Sequence, residues 1–284
     1  MKGAKGMMFL FVSVFALNQL KAQVTDTVFV MYQKDSAIVP ETEATVLFFQ
    51  NSERLSDKDI AKTSIITKTR KTIRLSAFLK SGGTEYADQV LADLDNDGKK
   101  ELVISGFTGG AHCCDDIYIF KNIALNKYQY AARIFAGHTI INTDKGFTYS
   151  FAEHLGYFFT CYACWYIDTS DAAPVDLSEV TMKYSKGKLI VAPGDKELRS
   201  TINDNLDKLG ELVMDIPSDG DGIDQDEGIR KAVAMNLAVF YYSFGKNLVE
   251  TQKLFNKYYK HKDAKKVWTE FAKALNGIKS TSDF

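Results

Sequence analysis

The period of the apolar residues changes once along this chain, and that change limits the folds open to it. From Thr25 to about Phe151 the apolar residues fall in short runs or alternate with polar ones. Val28–Tyr32, Thr45–Phe49, Thr72–Leu79, Gln89–Ala92, Leu102–Ile104, Ile117–Phe120 and Tyr128–Ile134 read this way, and Phe147, Tyr149 and Phe151 fall on one side of a further strand. A period of two marks a half-buried strand. Interruption at short intervals by Gly, Asn and Asp points to antiparallel pairing. After Pro217, from Asp226 onward, the period becomes helical. Ile229, Val233, Leu237, Phe240 and Phe244 are spaced by four, four, three and four, which is one helix face. Asp226 and Glu227 stand at its start, where the helix dipole favours carboxylates, and Gly245 ends it. Asn247 reads as the N-cap of a second helix carrying Leu248, Leu254, Phe255 and Tyr258. Asp263 opens a third, with Val267, Phe271 and Leu275 on one face and Gly277 as its stop. The expected class is α+β: an antiparallel β-rich region over 23–216, then an acidic linker and helices over 217–284. No fixed-period repeat is visible.

The N-terminal residues read as a signal peptide over 1–22. Lys2 and Lys5 precede Met7–Leu17, an apolar run of 11 residues, and a polar stretch ends at Ala22 before Gln23. The run is too short to span a bilayer as a helix, although a retained N-terminal anchor is the alternative. Leu20 is larger than the usual residue three positions before a cut, and no Cys near the cut would take a lipid. No later segment is apolar for long enough to span. The expectation is a soluble mature chain, periplasmic or secreted, with no membrane span after cleavage. The whole sequence balances 35 Lys and Arg against 36 Asp and Glu, and loss of Lys2, Lys5 and Lys21 leaves the remainder mildly acidic. That balance lacks the basic face that nucleic acid requires.

Residues Asp93-Leu94-Asp95-Asn96-Asp97-Gly98-Lys99-Lys100-Glu101 carry a metal-ligand pattern. Calcium is a hard ion that takes six to eight oxygen ligands. Carboxylates at positions one, three and five converge when the chain curls, and Gly98 at position six permits the sharp turn. Lys99 at position seven offers its carbonyl, and Glu101 at position nine closes the shell. A helix–loop–helix hand would need a carboxylate at position twelve, where Ile104 stands within an apparent strand. The plain alternative is an Asp/Gly-rich turn that binds nothing, against which stands the mutual repulsion of the three Asp without a cation. A bound ion is expected to act structurally, pinning the turn between two strands.

The stretch Ala92 to Ile104 resembles the calcium motif of FG-GAP and VCBS-type repeats, which build β-propeller blades and bacterial surface proteins. The resemblance implies Asp93, Asp95, Asp97, the Lys99 carbonyl and Glu101 as Ca2+ ligands. Gly109-Gly110-Ala111-His112-Cys113-Cys114 also resembles a sequence that follows such loops in bacterial exported proteins. The likeness covers about thirty residues and a single copy. It implies propeller-blade-like hairpins, not a full propeller, which needs several four-stranded blades. A second stretch, Asp219 to Glu227, resembles thrombospondin-type calcium loops. Aligned on Gly222, it lacks carboxylates at Pro217 and Gln225, and it reads better as a solvated acidic linker.

Four cysteines, Cys113, Cys114, Cys161 and Cys164, are expected to form disulfides in an oxidising compartment. Bonding neighbours 113 and 114 to each other would strain the ring, so bridges from that pair to the 161/164 pair are favoured. The same residues could form a soft metal site with His112, His138 and His154, or Cys161 and Cys164 a redox dithiol. Tyr157, Phe158, Phe159, Tyr162, Trp165 and Tyr166 could form a stacking platform, or fill a core beside a disulfide. No Gly-x-Ser-x-Gly elbow, His-Glu-x-x-His or phosphate-binding Gly loop occurs. The expected function is an exported, calcium-binding, disulfide-braced and non-enzymatic interaction module with a protein or glycan ligand. The alternative is an envelope hydrolase or thiol-redox protein built on the His112/Cys113/Cys114 and Cys161/Cys164 cluster.

Overall fold

The computed structural model describes residues 26–29, 46–49, 53–81, 86–107, 115–136, 140–142, 146–166, 177–215 and 226–284. The expected leader, His112, Cys113, Cys114, His138 and residues 219–225 of the acidic stretch lie outside them.

Two sheets form. The larger has seven strands in the order β3 (Glu53–Arg54), β6 (Tyr86–Ala92), β7 (Glu101–Phe107), β8 (Asp115–Ala124), β9 (Lys127–Ala136), β4 (Ser64–Ile66), β5 (Thr72–Arg74). Its centre, β6 to β9, is a four-stranded antiparallel meander. The smaller has the order β1 (Asp26–Phe29), β2 (Val46–Phe49), β10 (Ile140–Asn142), β11 (Gly146–Ser150), β12 (Glu179–Ser185), β13 (Lys188–Val191). Pairing is antiparallel except at β4 with β9 and β2 with β10. Both exceptions join strands far apart in sequence, as parallel partners must be.

The meander is covered on both faces, which is why Leu102-Val103-Ile104 is an unbroken apolar run with all three side chains fully buried. Val90, Val103, Ile117 and Ile134 face the central core. Leu102, Ile104, Phe120 and Tyr128 face α1 (Asp57–Lys62) and α2 (Leu75–Ser81), which cover them with Ile60, Leu75, Phe78 and Leu79. Thr72–Leu79 is therefore only partly the strand its alternation suggests. The strand stops at Arg74 and the chain turns helical at Leu75, whose side chain is fully buried. Eight residues of alternation fit a short helix equally well, and burial against Phe120 decides. One β-bulge sets the facing of β9. Ile119 pairs with Ala132 and Phe120 with Tyr130, which leaves Ala131 without a partner. Tyr128 and Tyr130 therefore point to one face while Ala132 and Ile134 point to the other.

The helical part begins earlier than the change of period suggests. α3 (Ala152–Leu155) and α4 (Lys196–Leu212) lie inside the stretch expected to be β-rich. Asp195 caps α4 by accepting from the Leu198 N–H at 2.8 Å, and Ile202, Leu206, Leu209 and Val213 bury its stripe. α5 (Ile229–Ser243), α6 (Leu248–Tyr258) and α7 (Ala264–Thr281) follow. α5 was expected to bury one face, yet every residue from Lys231 to Ser243 is buried. It is the central helix, wrapped on all sides. The expected caps at Gly245 (φ +90°) and Asn247 hold, the latter accepting from the Val249 and Glu250 N–H groups. Gly277 does not stop α7, which runs on to Thr281. The following residues dock on β9: the Asp283 N–H donates to the Arg133 carbonyl, and the Ser282 hydroxyl accepts from the Phe135 N–H. That docking holds the last turn where a glycine alone would have ended it. A single apolar cluster joins the inner faces of both sheets to α4, α5, α6 and α7. The architecture is α+β. Among the described residues, no helix is long and apolar enough to cross a membrane.

Candidate metal centre

The β6–β7 connection is the Asp-rich loop, and it curls as its pattern requires. Asn96 and Gly98 take left-handed conformations at φ +56° and +82°. At Gly98 a Cβ would meet nothing within 4 Å, so the backbone angle alone calls for glycine. Asp93 organises the curl, accepting from the Asp97 N–H at 3.0 Å with one oxygen and from the Gly98 N–H at 2.8 Å with the other. Asp97 accepts from the Lys99 N–H at 2.8 Å. Glu101, the first residue of β7, accepts from the Leu94 N–H at 3.2 Å.

One oxygen each from Asp93, Asp95 and Glu101 lie within 4.8 Å of one another. Of the five ligands expected, these three converge. Asp97 and Lys99 sit on the exposed rim of the curl. Glu101 is 1% exposed. Burial pushes its carboxyl up to about 7; the Leu94 N–H opposes this, and the charges of Asp95, Asp97 and Asp93 add to it. The site thus concentrates negative charge where water is scarce, and a cation would relieve that charge.

A second element completes the site, and nothing in the loop's own sequence announces it. The β12–β13 turn, Lys186-Gly187, has both residues left-handed at φ +51° and +82°. Its Lys186 N–H donates to one oxygen of Asp95 at 2.9 Å, across 91 residues of chain. The other Asp95 oxygen is buried without a partner. Tyr184, just before that turn, is 4% exposed, and its hydroxyl also has no partner. Burial raises the Tyr184 pKa, and the negative charges of Glu101, Asp95 and Asp97 raise it further, which places the ring beside the cluster. The site therefore sits where the loop of one sheet meets a turn of the other.

The cysteines behave differently from expectation. Cys161 and Cys164 are bonded to each other, with Cα atoms 5.1 Å apart, rather than to the 113/114 pair. The chain folds back between them, with the Cys164 N–H donating to the Cys161 carbonyl at 3.2 Å, which brings the two within bonding range. The pair is thus not a thiolate metal site. His154 is no ligand to it either: its ring nitrogens pair with the Tyr149 hydroxyl and the Thr281 hydroxyl, each at 3.1 Å. Burial holds the His154 pKa down at about 4. In the aromatic run, Phe158, Phe159, Trp165 and Tyr166 pack against the core, while Tyr157 is 65% exposed.

Two further charged groups are buried, and of them Lys231 was not singled out from sequence. Lys231 on α5 is fully buried and donates to the carbonyls of Gly156, Cys161 and Tyr162 at 3.0, 3.0 and 2.9 Å. A charge inside an apolar helix period was the available signal. Asp226, at the end of the acidic stretch, is 1% exposed, and burial pushes its carboxyl up to about 6 against the pull of Arg230. Its carboxylate accepts from the Arg230 N–H at 3.1 Å, while the Arg230 side chain pairs with Asp263 at 2.7 Å. Asp226 is thus tied into a helix terminus. No protein-family model, curated protein or solved structure matches this chain.

Proposed function

We propose that the cluster of Asp93, Asp95 and Glu101 binds Ca2+, with Asp97 and the Lys99 carbonyl completing its shell. The observation that carries this reading is the convergence of three carboxylates within 4.8 Å around a fully buried Glu101. The unpartnered buried oxygen of Asp95 agrees with it. An all-oxygen donor set of this charge suits calcium better than a softer metal. The ion acts as a clamp: by neutralising the loop it fastens the β6–β7 connection to the β12–β13 turn, and so one sheet to the other. In this reading the chain is an exported, disulfide-braced interaction module of the FG-GAP/VCBS-like kind, stabilised by calcium outside the cytoplasm, whose partner is a protein or glycan. The Cys161–Cys164 bond supports an oxidising compartment.

The test is thermal unfolding with chelator and with added Ca2+, paired with terbium titration read by tyrosine-sensitised luminescence. Ca2+ at a hundredfold over its Kd stabilises the fold by about 2.7 kcal/mol. Terbium luminescence appears and is displaced by Ca2+. Asp95→Asn removes both responses. A melting temperature indifferent to Ca2+, with no terbium signal, overturns the reading.

A further inference from the structure

The Cys161–Cys164 bond closes a ring across a separation of only three residues. So short a ring removes little freedom from an unfolded chain, because closure entropy grows with the length enclosed. The turn is held by other means. Lys231 binds two of its carbonyls, those of Cys161 and Tyr162, together with the Gly156 carbonyl, and its ammonium lies 4.3 Å from the centre of the Trp165 ring. Gly228, at the start of α5 with φ +85°, lets the helix press directly on the turn. A Cβ there would stand 2.6 Å from the Tyr166 nitrogen and 2.8 Å from the Cys164 carbonyl oxygen. The turn is thus fixed by contacts that do not depend on the sulfurs being joined. Both cysteines are partly exposed residues. The Lys231 ammonium, 3.0 Å from the Cys161 carbonyl oxygen, is a fixed positive charge beside that residue, and a nearby cation favours a thiolate.

We propose that Cys161-Tyr162-Ala163-Cys164 is a thiol–disulfide exchange site. Its substrate is a dithiol on a protein or peptide, and Lys231 is a positioning residue that stabilises the Cys161 thiolate. A substrate thiolate attacks the Cys164 Sγ; the bond between the two cysteines breaks, and Cys161 leaves as a thiolate. The second substrate thiol, deprotonated, attacks the substrate sulfur of the mixed disulfide and expels Cys164. The substrate loses two electrons and becomes a disulfide, while the cysteine pair gains them. Of the two substrate protons, one ends on Cys164 and the other in solvent, while Cys161 stays ionised. This site is independent of the calcium loop.

Two measurements on the full chain decide the matter. The oxidised protein is equilibrated in glutathione buffers of graded ratio, and the reduced protein is alkylated with iodoacetamide across pH. Both are read by mass spectrometry at the peptide bearing Cys161 and Cys164, so that Cys113 and Cys114 are scored apart. The expected result is a pair that interconverts within the glutathione range, with Cys161 alkylation half-maximal well below the ordinary thiol value of about 8.5. Lys231→Gln slows alkylation of Cys161 at pH 7 about tenfold, and Lys231→Arg restores it. A pair that stays oxidised at every ratio, or a wild-type midpoint at or above about 8.5, overturns the proposal. These wild-type readings stand even where Lys231→Gln fails to fold.

Discussion

At the scale of single residues, burial without charge compensation sets the chemistry of this molecule. Glu101 and His154 show it in opposite directions. Glu101 is pushed up to about 7 by burial among three aspartates. His154 is pushed down to about 4, because its ring lies between Tyr149, Thr281 and Phe135, where a positive charge is poorly solvated. The His154 value has a consequence for stability. Below its ordinary value of 6.5 the unfolded chain takes up a proton that the folded chain refuses. The stabilisation is therefore complete above pH 6.5 and is lost as pH falls towards 4. The loss is on the order of 2 kcal/mol. Urea unfolding at pH 7 and pH 4.5 measures it: the wild type loses that much more stability between the two than His154→Gln does. Equal losses in both would show that the ring titrates normally. The convergence of Asp93, Asp95 and Glu101 was legible because the loop's spacing is its own signature. Tyr184 and Lys186 were not, since a hydroxyl and a backbone N–H about ninety residues away leave no mark on the loop.

At the scale of elements, the β12–β13 turn reaches the carboxylate cluster from the other sheet. Its two left-handed residues aim the Lys186 N–H at Asp95. Gly187→Val forces a β-branched side chain to φ +82°, a strain of about 1–2 kcal/mol. The expected outcome is a several-fold weaker terbium affinity with every carboxylate intact, measured by luminescence titration. An unchanged affinity would mean that the turn merely abuts the loop. Elements were readable where one period ran long enough: the meander strands, α5, and the Asn247 cap of α6. They were misread where the run was short or one signal outweighed the rest. Thr72–Leu79 alternates for too few residues to separate strand from helix. Gly277 looked like a stop because the docking of Ser282 and Asp283 on β9 lies outside any local pattern. α4 went unseen although Ile202, Leu206 and Leu209 carry a helical stripe, because the strands before it set the expectation.

At the scale of the whole molecule, the sheets and helices are fastened at separate places. One is the loop–turn contact at Asp95. Another is the segment after α7, where Asp283 receives hydrogen bonds from Lys68, the Tyr130 hydroxyl and the Arg133 N–H. Phe284 packs on Tyr149 and Tyr242, 4.6 and 5.0 Å between ring centres. Asp283→Ala therefore frees the Tyr130 hydroxyl and lowers stability by about 1–2 kcal/mol. Denaturant titration checks this, and a change within a few tenths would place the holding force in Phe284 alone.

The bulge at Ala131 divides β9 into two reading frames. Before it, even-numbered side chains belong under α2; after it, even-numbered side chains belong to the central core. Losing Ala131 would merge the frames and leave Tyr128, Tyr130, Ala132 and Ile134 on the faces they hold, whereas losing a paired residue on either side would turn part of the strand inside out. Losing one at the Leu125–Asn126 tip, where Leu125 is 92% exposed, would only shorten a hairpin. Among related chains, length variation should therefore gather at that tip and at the bulge, and be absent from the paired residues of the strand.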